Sequence, residues 1–415
     1  MYLRSLELSN FRNFLARRFD FSPEVNVFYG PNASGKTNLL EAIYVLSNLR
    51  SFRTRLLREL IHWGQPQAYL RGTIQTGSMP NSAFREAEGE TQPEEHPTRT
   101  PIKTLAIRIE PDALVASMNA KPCKSSKEYL QILPCTAFIP DDLSLIKGMP
   151  AARRYFLDSG TFQYYPAYWS LLTDYNRILR QKNTLLREFK GKMGKGAGGR
   201  GWSALALAEG HPCEVWNTQL QNVGSKIMLH RMSFVQQLRK FLKQIYVGWL
   251  GDKEVIDLRY KSSIRLAPED FAELLDAGGT APDQTYARIV STYAQAIQDN
   301  VDREHRLGTA VVGPHRDDLE FDLWGKPLRA FGSQGQQRTA VLAVKLAEVY
   351  LYFERYAEYA ILVLDDVTSE LDADRSHKLF EYVQHGMQVF ISTTSNPNLP
   401  VDSSLACAHF DLSNA

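Results

Sequence analysis

Cysteine is scarce in this 415-residue sequence: Cys123, Cys135, Cys213 and Cys407 lie far apart, and no two form a C-x-x-C pair. That spacing argues against a disulfide framework or a thiolate zinc cage and suits inert thiols in a reducing compartment. Long apolar runs are missing too. Nothing approaches the roughly 18 residues of a membrane span, and Met1-Tyr2-Leu3-Arg4 leads into strand-like alternation rather than a signal peptide. A cytoplasmic protein is expected. Net charge is only +2, so the chain as a whole is no polycation. Acid is locally absent, however. Between Val215 and Gly251 there is no Asp or Glu, while Lys226, Arg231, Arg239, Lys240 and Lys243 are basic. From Lys147 to Arg200 eleven Lys/Arg face three Asp/Glu, so the middle of the chain is where a polyanion would be attracted.

What the sequence does contain is Gly30-Pro31-Asn32-Ala33-Ser34-Gly35-Lys36-Thr37, a G-x-x-x-x-G-K-T phosphate-binding loop, followed by Asn38. A chance Gly-rich turn would not need the right flanks. Here Val25, Val27 and Phe28 supply a strand before the loop. Leu39, Leu40, Ala42, Ile43 and Leu46 recur at helical spacing after it. Backbone N–H groups of Gly30, Asn32, Ala33, Ser34 and Gly35 would close around phosphates at a helix N-terminus. Lys36 would reach the β- and γ-phosphates of a nucleotide, and Thr37 would offer its hydroxyl to Mg²⁺.

Leu3, Leu6 and Leu8 alternate as an opening strand, Asn10 to Phe14 reads as a turn, and Phe19–Phe21 starts a second strand. Arg50-Ser51-Phe52-Arg53-Thr54-Arg55 is a basic segment, either a solvated loop or a phosphate contact through Arg53 and Arg55. Residues 78–101, rich in Pro, Glu and Thr, read as a disordered insertion in a hairpin of Tyr69–Gln75 and Thr104–Ile109. Beyond Pro150, apolar residues at spacings of three and four imply two long helices, one through Tyr168 to Phe189 and one through Trp216 to Ile245. The glycine- and lysine-rich 191–201 separates them, which suggests an antiparallel helical arm with a basic element near its tip. Its aromatic stripe is core packing or a stacking platform. A strand (Val255–Tyr260) and a helix (Gln284–Glu304) close the section. The expected division is a discontinuous head, 1–150 with 305–415, and an arm or lid, 151–304. Ala310-Val311-Val312 and Leu319–Leu323 read as strands, and His315 among carboxylates is a metal ligand or part of a hydrogen-bonded turn.

Two later stretches complete the loop. Ala360-Ile361-Leu362-Val363-Leu364 reads as a buried parallel strand, ending in Asp365-Asp366 where α/β sheets place ligands. Asp365 suits Mg²⁺ and Asp366 the attacking water. Gly332-Ser333-Gln334-Gly335-Gln336 precedes a long helix from Thr339, a second anion-binding device. One nucleotide needs one such loop, so a second cradle points to a site shared between two subunits.

Together these stretches resemble the ABC-type ATPase head of the SMC superfamily, and more narrowly the RecF family of bacterial recombination mediators. The matching phrases are Leu8-Ser9-Asn10-Phe11-Arg12-Asn13, the loop from Gly30 to Asn38, Phe138–Leu143, Arg153–Asp158, Gly313-Pro314-His315-Arg316-Asp317-Asp318, Gly332–Arg338 and Asp365–Asp372. They run over nearly the whole chain in the family's order. The resemblance implies an α/β P-loop ATPase head with a mixed sheet and a mainly helical arm. It assigns Ser333, Gly335 and Gln336 to the signature, Ser369–Asp372 to the D-loop and Thr394 to the switch-histidine position. No Q-loop glutamine is evident. Asp366 stands where ABC proteins usually carry Glu, which implies slow hydrolysis. The expected function is an ATP-dependent dimeric DNA clamp in recombinational repair, acting at gaps and junctions with RecR and RecO to place RecA. Arg180, Lys182, Lys190, Arg239 and Lys240 of the arm are its candidate DNA contacts, beside Arg53 and Arg55. A nucleotide-sensing switch that does not act on DNA is the alternative. A membrane-transporter subunit needs no such arm, and a chromosome-organising SMC protein needs a far longer one.

Overall fold

The computed structural model describes residues 1–76, 102–193, 212–251, 254–267, 283–367, 373–394 and 399–413. The expected insertion at 78–101, most of the 191–201 element and the expected D-loop, Ser369–Asp372, lie outside these. In chain order the main elements are β1 (Tyr2–Phe11), β2 (Phe14–Asp20), β3 (Val25–Tyr29), α1 (Lys36–Asn48), β4 (Ala68–Gln75), β5 (Ile102–Ile109), β6 (Leu114–Met118), β7 (Lys121–Pro122) and β8 (Cys135–Phe138). There follow α2 (Pro150–Tyr164), α3 (Tyr168–Met193), α4 (Pro212–Leu250), β9 (Ile256–Lys261), α5 (Asp283–Asp299), α6 (Val301–Leu307), β10 (Asp318–Leu323) and β11 (Lys326–Pro327). Then come α7 (Gln334–Tyr356), β12 (Ile361–Leu364), β13 (Val389–Thr393) and β14 (Cys407–Asp411).

The chain divides into two compact units, Met1–Asp142 with Gln334–Ala415, and Leu143–Ser333. The first holds two sheets. Strands β14-β3-β13-β12-β8 are all parallel, and β2-β1-β4-β5-β6-β7 are antiparallel. Every residue of β12 is buried, as an apolar run covered on both faces should be. By contrast β4 alternates buried and exposed, as expected for a sheet with one solvated face. α1 lies against strands of both sheets, including β13 and β4. The buried Gln388 side chain stitches the sheets together. Its amide oxygen accepts from Leu3 N–H at 2.8 Å, and its nitrogen donates to the carbonyls of Leu3 (2.9 Å) and Ser22 (2.8 Å). A row of rings, Phe21, Phe28, Phe390 and Phe410, fills the space around β3 and β13.

The second unit packs α3, α5 and the three-stranded antiparallel sheet β11-β10-β9 around the 39-residue α4. Residues 305–333 belong here rather than to the head, because β10 pairs with β9 along its whole length. Ala310-Val311-Val312 is not a strand. Its backbone N–H groups are satisfied by side chains: Ala310 donates to Asn183 at 2.7 Å and Val311 to Glu304 at 3.0 Å. A ladder would be redundant there. Gly313 follows with φ +120, and a Cβ on it would lie 1.9 Å from the Tyr293 hydroxyl.

His315 is part of a hydrogen-bonded turn. Tyr175 donates to its Nδ1 at 2.7 Å, and its Nε2 donates to Ala310 O at 3.1 Å. Burial holds its pKa down at about 4, so the ring is neutral at neutral pH. No group of three or more His, Cys, Asp or Glu among the described residues is placed to hold a metal. No helix among them is long and apolar enough to cross a membrane.

Lys182 must be withdrawn as a DNA contact. Its side chain is 1% exposed and pairs with Glu304 at 2.6 Å. Its position on the inner face of α3 follows from the same three–four spacing that placed the core residues. Lys182→Ala should cost about 3–5 kcal/mol by leaving the buried Glu304 carboxylate without its cation. In Lys182→Met/Glu304→Gln most of that loss should return, because the amide oxygen still accepts from Val311. Urea midpoints of the three proteins check this, and a single mutant as stable as wild type would refute the pairing.

Candidate nucleotide site

β3 ends at Tyr29 and the chain turns through Gly30 (φ 145) and Ala33 (φ 67) to Gly35 (φ 97), the N-cap of α1. Such angles suit glycine, and Gly35 also passes close to Asn13: a Cβ there would lie 2.6 Å from its amide nitrogen. Among the described residues no side chain caps α1, and no acid lies in its first turn. Its first N–H groups are therefore left for an anion. The buried Ser34 hydroxyl has no hydrogen-bond partner among the described residues. Pro31, Asn32 and Ala33 are exposed at the rim.

Lys36 is buried, and its ammonium donates to the carbonyls of Gly30 (2.7 Å) and Pro31 (2.8 Å). Burial lowers its pKa, and the nearby charges of Asp366 and Asp365 oppose that shift. The loop carbonyls thus hold the cation near the carboxylates of Asp365 and Asp366. Thr37 donates to Asp365 Oδ1 at 3.0 Å. Asp365 lies at the end of β12, its N–H bonded to Phe138 O at 2.9 Å. Burial raises its pKa, and the hydrogen bonds from Ser392 and Thr37 work against that rise. Asp366 is half-buried with φ 51, so the chain leaves the strand in a left-handed turn directly after Asp365.

Ser392 was given no role by the sequence, yet it joins the two aspartates. Its hydroxyl donates to Asp365 Oδ1 at 2.7 Å and accepts from Asp366 N–H at 2.8 Å. The parallel pairing of Leu364 with Ile391 carries the next residue of each strand, Asp365 and Ser392, to the same sheet edge. A hydroxyl at the end of an apolar strand was the available signal. Thr393 pairs with Tyr29, so Thr394 follows at the level of Gly30. Thr394 is exposed and makes no hydrogen bond among the described residues.

Asn38 donates to Asn13 Oδ1 at 2.7 Å and accepts from Arg53 at 2.8 Å. Glu41, fully buried in α1, binds Arg12 through both carboxylate oxygens (2.7 and 2.8 Å) and lies 3.7 Å from Arg53. Arg53 is thus tied to the phosphate-loop helix rather than loose in solvent, and Arg55 is exposed. Asp142 accepts from Ile139 N–H at 2.9 Å and faces Lys345 of α7 at 3.5 Å. Lys345 also lies 3.9 Å from Glu348, whose pKa burial pushes up to about 7.

Ser333 is exposed, Gly335 and Gln336 open α7, and Gly335 O accepts from the Thr339 hydroxyl at 2.8 Å. Of the arm cations, Arg239 is engaged with Asp257 through two nitrogens. Arg180, Lys190 and Lys240 are exposed, and among the described residues their side chains hydrogen-bond only to Asn176 O, Leu307 O and Gln237.

The description "RecF/RecN/SMC N terminal domain" covers a family model that matches residues 2–407. The "DNA replication and repair protein RecF" of Bacillus thuringiensis (strain Al Hakam) is 34% identical over 95% of this chain and 92% of its own length. The chain belongs to the RecF family. It is therefore an ABC-type ATPase of the SMC-like class, with a role in DNA repair and recombination. The solved structure of "the recombination mediator protein RecF-ATP in RecFOR pathway" is similar at 26% identity and TM-score 0.78, covering 99% of this chain and 96% of that one. A RecF-ATPrS structure gives 27% and 0.77 over the same shares.

Ser392→Ala should lower ATP turnover about 10- to 100-fold, the usual range for losing a partner that orients a ligating carboxylate. Steady-state kinetics measure it, and unchanged turnover would show that Thr37 alone holds Asp365.

Proposed function

We propose that the chain is an ATP-driven DNA clamp of recombinational repair. ATP bound at the Lys36 loop of one copy would be capped by Ser333, Gly335 and Gln336 of a second, closing the pair on gapped or junction DNA. The observation that carries this reading is the hydrogen-bonded line Thr37–Asp365–Ser392–Asp366 beside the Lys36 ammonium. It is the arrangement a nucleotide triphosphate requires, and the uncapped helix and orphan Ser34 hydroxyl fit its phosphates. Mg²⁺, held by Thr37 and Asp365, would neutralise charge on the β- and γ-phosphates when bound. Lys36 would leave the loop carbonyls for the phosphates. Asp366 would hold the proton of the attacking water, and its short side chain suits slow turnover. Thr394, where ABC enzymes place the switch histidine, would face the same edge.

Exposed Arg180, Lys190 and Lys240 of the arm, with Arg53 and Arg55 of the head, are the proposed phosphate contacts. RecR and RecO are the proposed partners in loading RecA, in keeping with the pathway named for the RecF structures. A cytoplasmic location follows from that role.

Sedimentation with ATP, ADP or no nucleotide, with and without duplex DNA bearing a single-stranded overhang, tests the clamp. Wild type should dimerise with ATP and bind the DNA, Lys36→Met should do neither, and Asp366→Asn should dimerise but turn over at least ~10²-fold more slowly. ATP-dependent dimerisation without DNA binding at any salt concentration would favour the nucleotide-sensing switch instead.

The shared site has its own test. Ser333→Arg should leave nucleotide binding by the monomer intact but block dimerisation by bulk and charge. Mixed with Lys36→Met copies, it should regain part of the hydrolysis, since one composite site in the mixed pair is intact. Normal dimerisation of Ser333→Arg alone would defeat the proposal.

A further inference from the structure

Trp63 is 94% exposed. So large an apolar ring is seldom left in water, because burying it is among the larger gains available to a folded chain. Nor is it on a loose loop. His62 N–H donates to Asn10 O at 2.7 Å, the His62 ring donates through Nδ1 to Arg12 O at 2.7 Å, and Arg12 N–H donates to Leu60 O at 2.9 Å. Ile61 bridges to Phe11, and Gln65 N–H closes the turn on His62 O at 3.0 Å. The backbone leading to the ring is thus pinned to the β1–β2 hairpin, and the ring is presented on a fixed base.

Its neighbours along the chain are cationic. Between Arg50 and Trp63 four arginines stand against one acid, Glu59. Arg55 and Arg58 are exposed and make no ion pair among the described residues. Arg12 also donates to Glu59 O at 2.6 Å and shares Glu41 with Arg53, so this segment is wired to the helix that starts at the phosphate loop. An exposed ring on a pinned turn, preceded in the same segment by exposed arginines, is a combination that suits single-stranded nucleic acid, where a base stacks on the ring and the cations take the flanking phosphates.

We propose that Trp63 is the stacking platform for an unpaired DNA base, with Arg55 and Arg58 on the adjoining phosphates. The proposal rests on the clamp reading and deepens it: it gives the head a way to tell a single-strand junction from plain duplex. A base inside a duplex has both faces covered, so Trp63 has nothing to add there.

The test compares an oligothymidylate, a blunt duplex and a duplex with a single-stranded overhang, each bound to the full-length protein with ATP at fixed salt. Trp63→Ala should lose about tenfold on the first and third, within the range of one stacked base, and nothing on the blunt duplex. Trp63→Phe should retain most of the wild-type affinity. Arg55→Gln/Arg58→Gln should flatten the salt slope on the oligothymidylate by about 1.4, two phosphates' worth. Wild-type binding of all three DNAs with no loss in Trp63→Ala overturns the stacking role and leaves the clamp standing. Equal losses on all three, or loss of the ATP-dependent dimer, overturn it in favour of a contact between copies. No binding of any DNA by wild type removes the clamp reading and this one with it.

Discussion

A buried carboxylate is the constraint around which the head is organised. Asp365 is 4% exposed, at the end of a strand buried on both faces. An ionised group in that position is tolerated only if it is hydrogen-bonded or paired. The protein supplies these bonds from the ends of two neighbouring strands, Thr37 after β3 and Ser392 on β13, while the Asp365 N–H is tied to β8 on the other side of β12. Parallel register is what makes this possible, since it brings the ends of neighbouring strands to one edge. A slip of one residue in β13 would turn Ser392 to the other face. The nucleotide chemistry therefore depends on apolar packing well beneath it, including the Phe28–Phe390 stack and the Gln388 stitch to the antiparallel sheet.

Much of this was legible in the sequence, because the phosphate loop and the Walker strand carry both a motif and a context. The hairpin of β4 and β5 and the helices α3 and α4 were legible from periodicity. What the sequence hid depends on long-range pairing. Ser392 lies 27 residues from Asp365, and only the sheet order joins them. Ala310–Val312 has strand-forming residues, but its N–H groups are claimed by Asn183 and Glu304. The middle unit extends to Ser333 because β10 finds its partner in β9, a pairing that composition does not announce.

The Gly313–Asp318 phrase shows a motif can be structural in its immediate contacts. Arg231, 2% exposed, donates to Pro314 O at 2.7 Å and to Asp158 at 2.7 Å, and its Nε lies 3.0 Å from the Tyr168 hydroxyl. Asp317, fully buried, accepts from Ser263 N–H at 2.6 Å and from the Tyr260 hydroxyl. Asp318 takes Arg153 in a two-pronged pair at 2.7 and 2.8 Å. The phrase thus gathers α2, α4 and β9 into one polar network. Buried networks of this kind are costly when any member is removed, because the remaining groups are left unsatisfied.

The same pairings change where a polyanion would be held. Counting residues makes the middle of the chain strongly basic, but Arg153, Lys182, Arg231 and Arg239 all have carboxylate partners inside their own unit. A cation already neutralised at contact distance adds little to the field outside, and releasing it for a phosphate would leave its acid unpaired. Excess charge in a sequence therefore overstates excess charge on a surface whenever helices pack by ion pairs. The head segment from Arg53 to Trp63 has fewer cations, but Arg55 and Arg58 lie in solvent and the exposed Trp63 follows in the same segment. Arg180, Lys190 and Lys240 of the arm likewise lie in solvent, so it is the unpaired cations of each unit, rather than the totals of lysine and arginine, that set the charge presented to a polyanion.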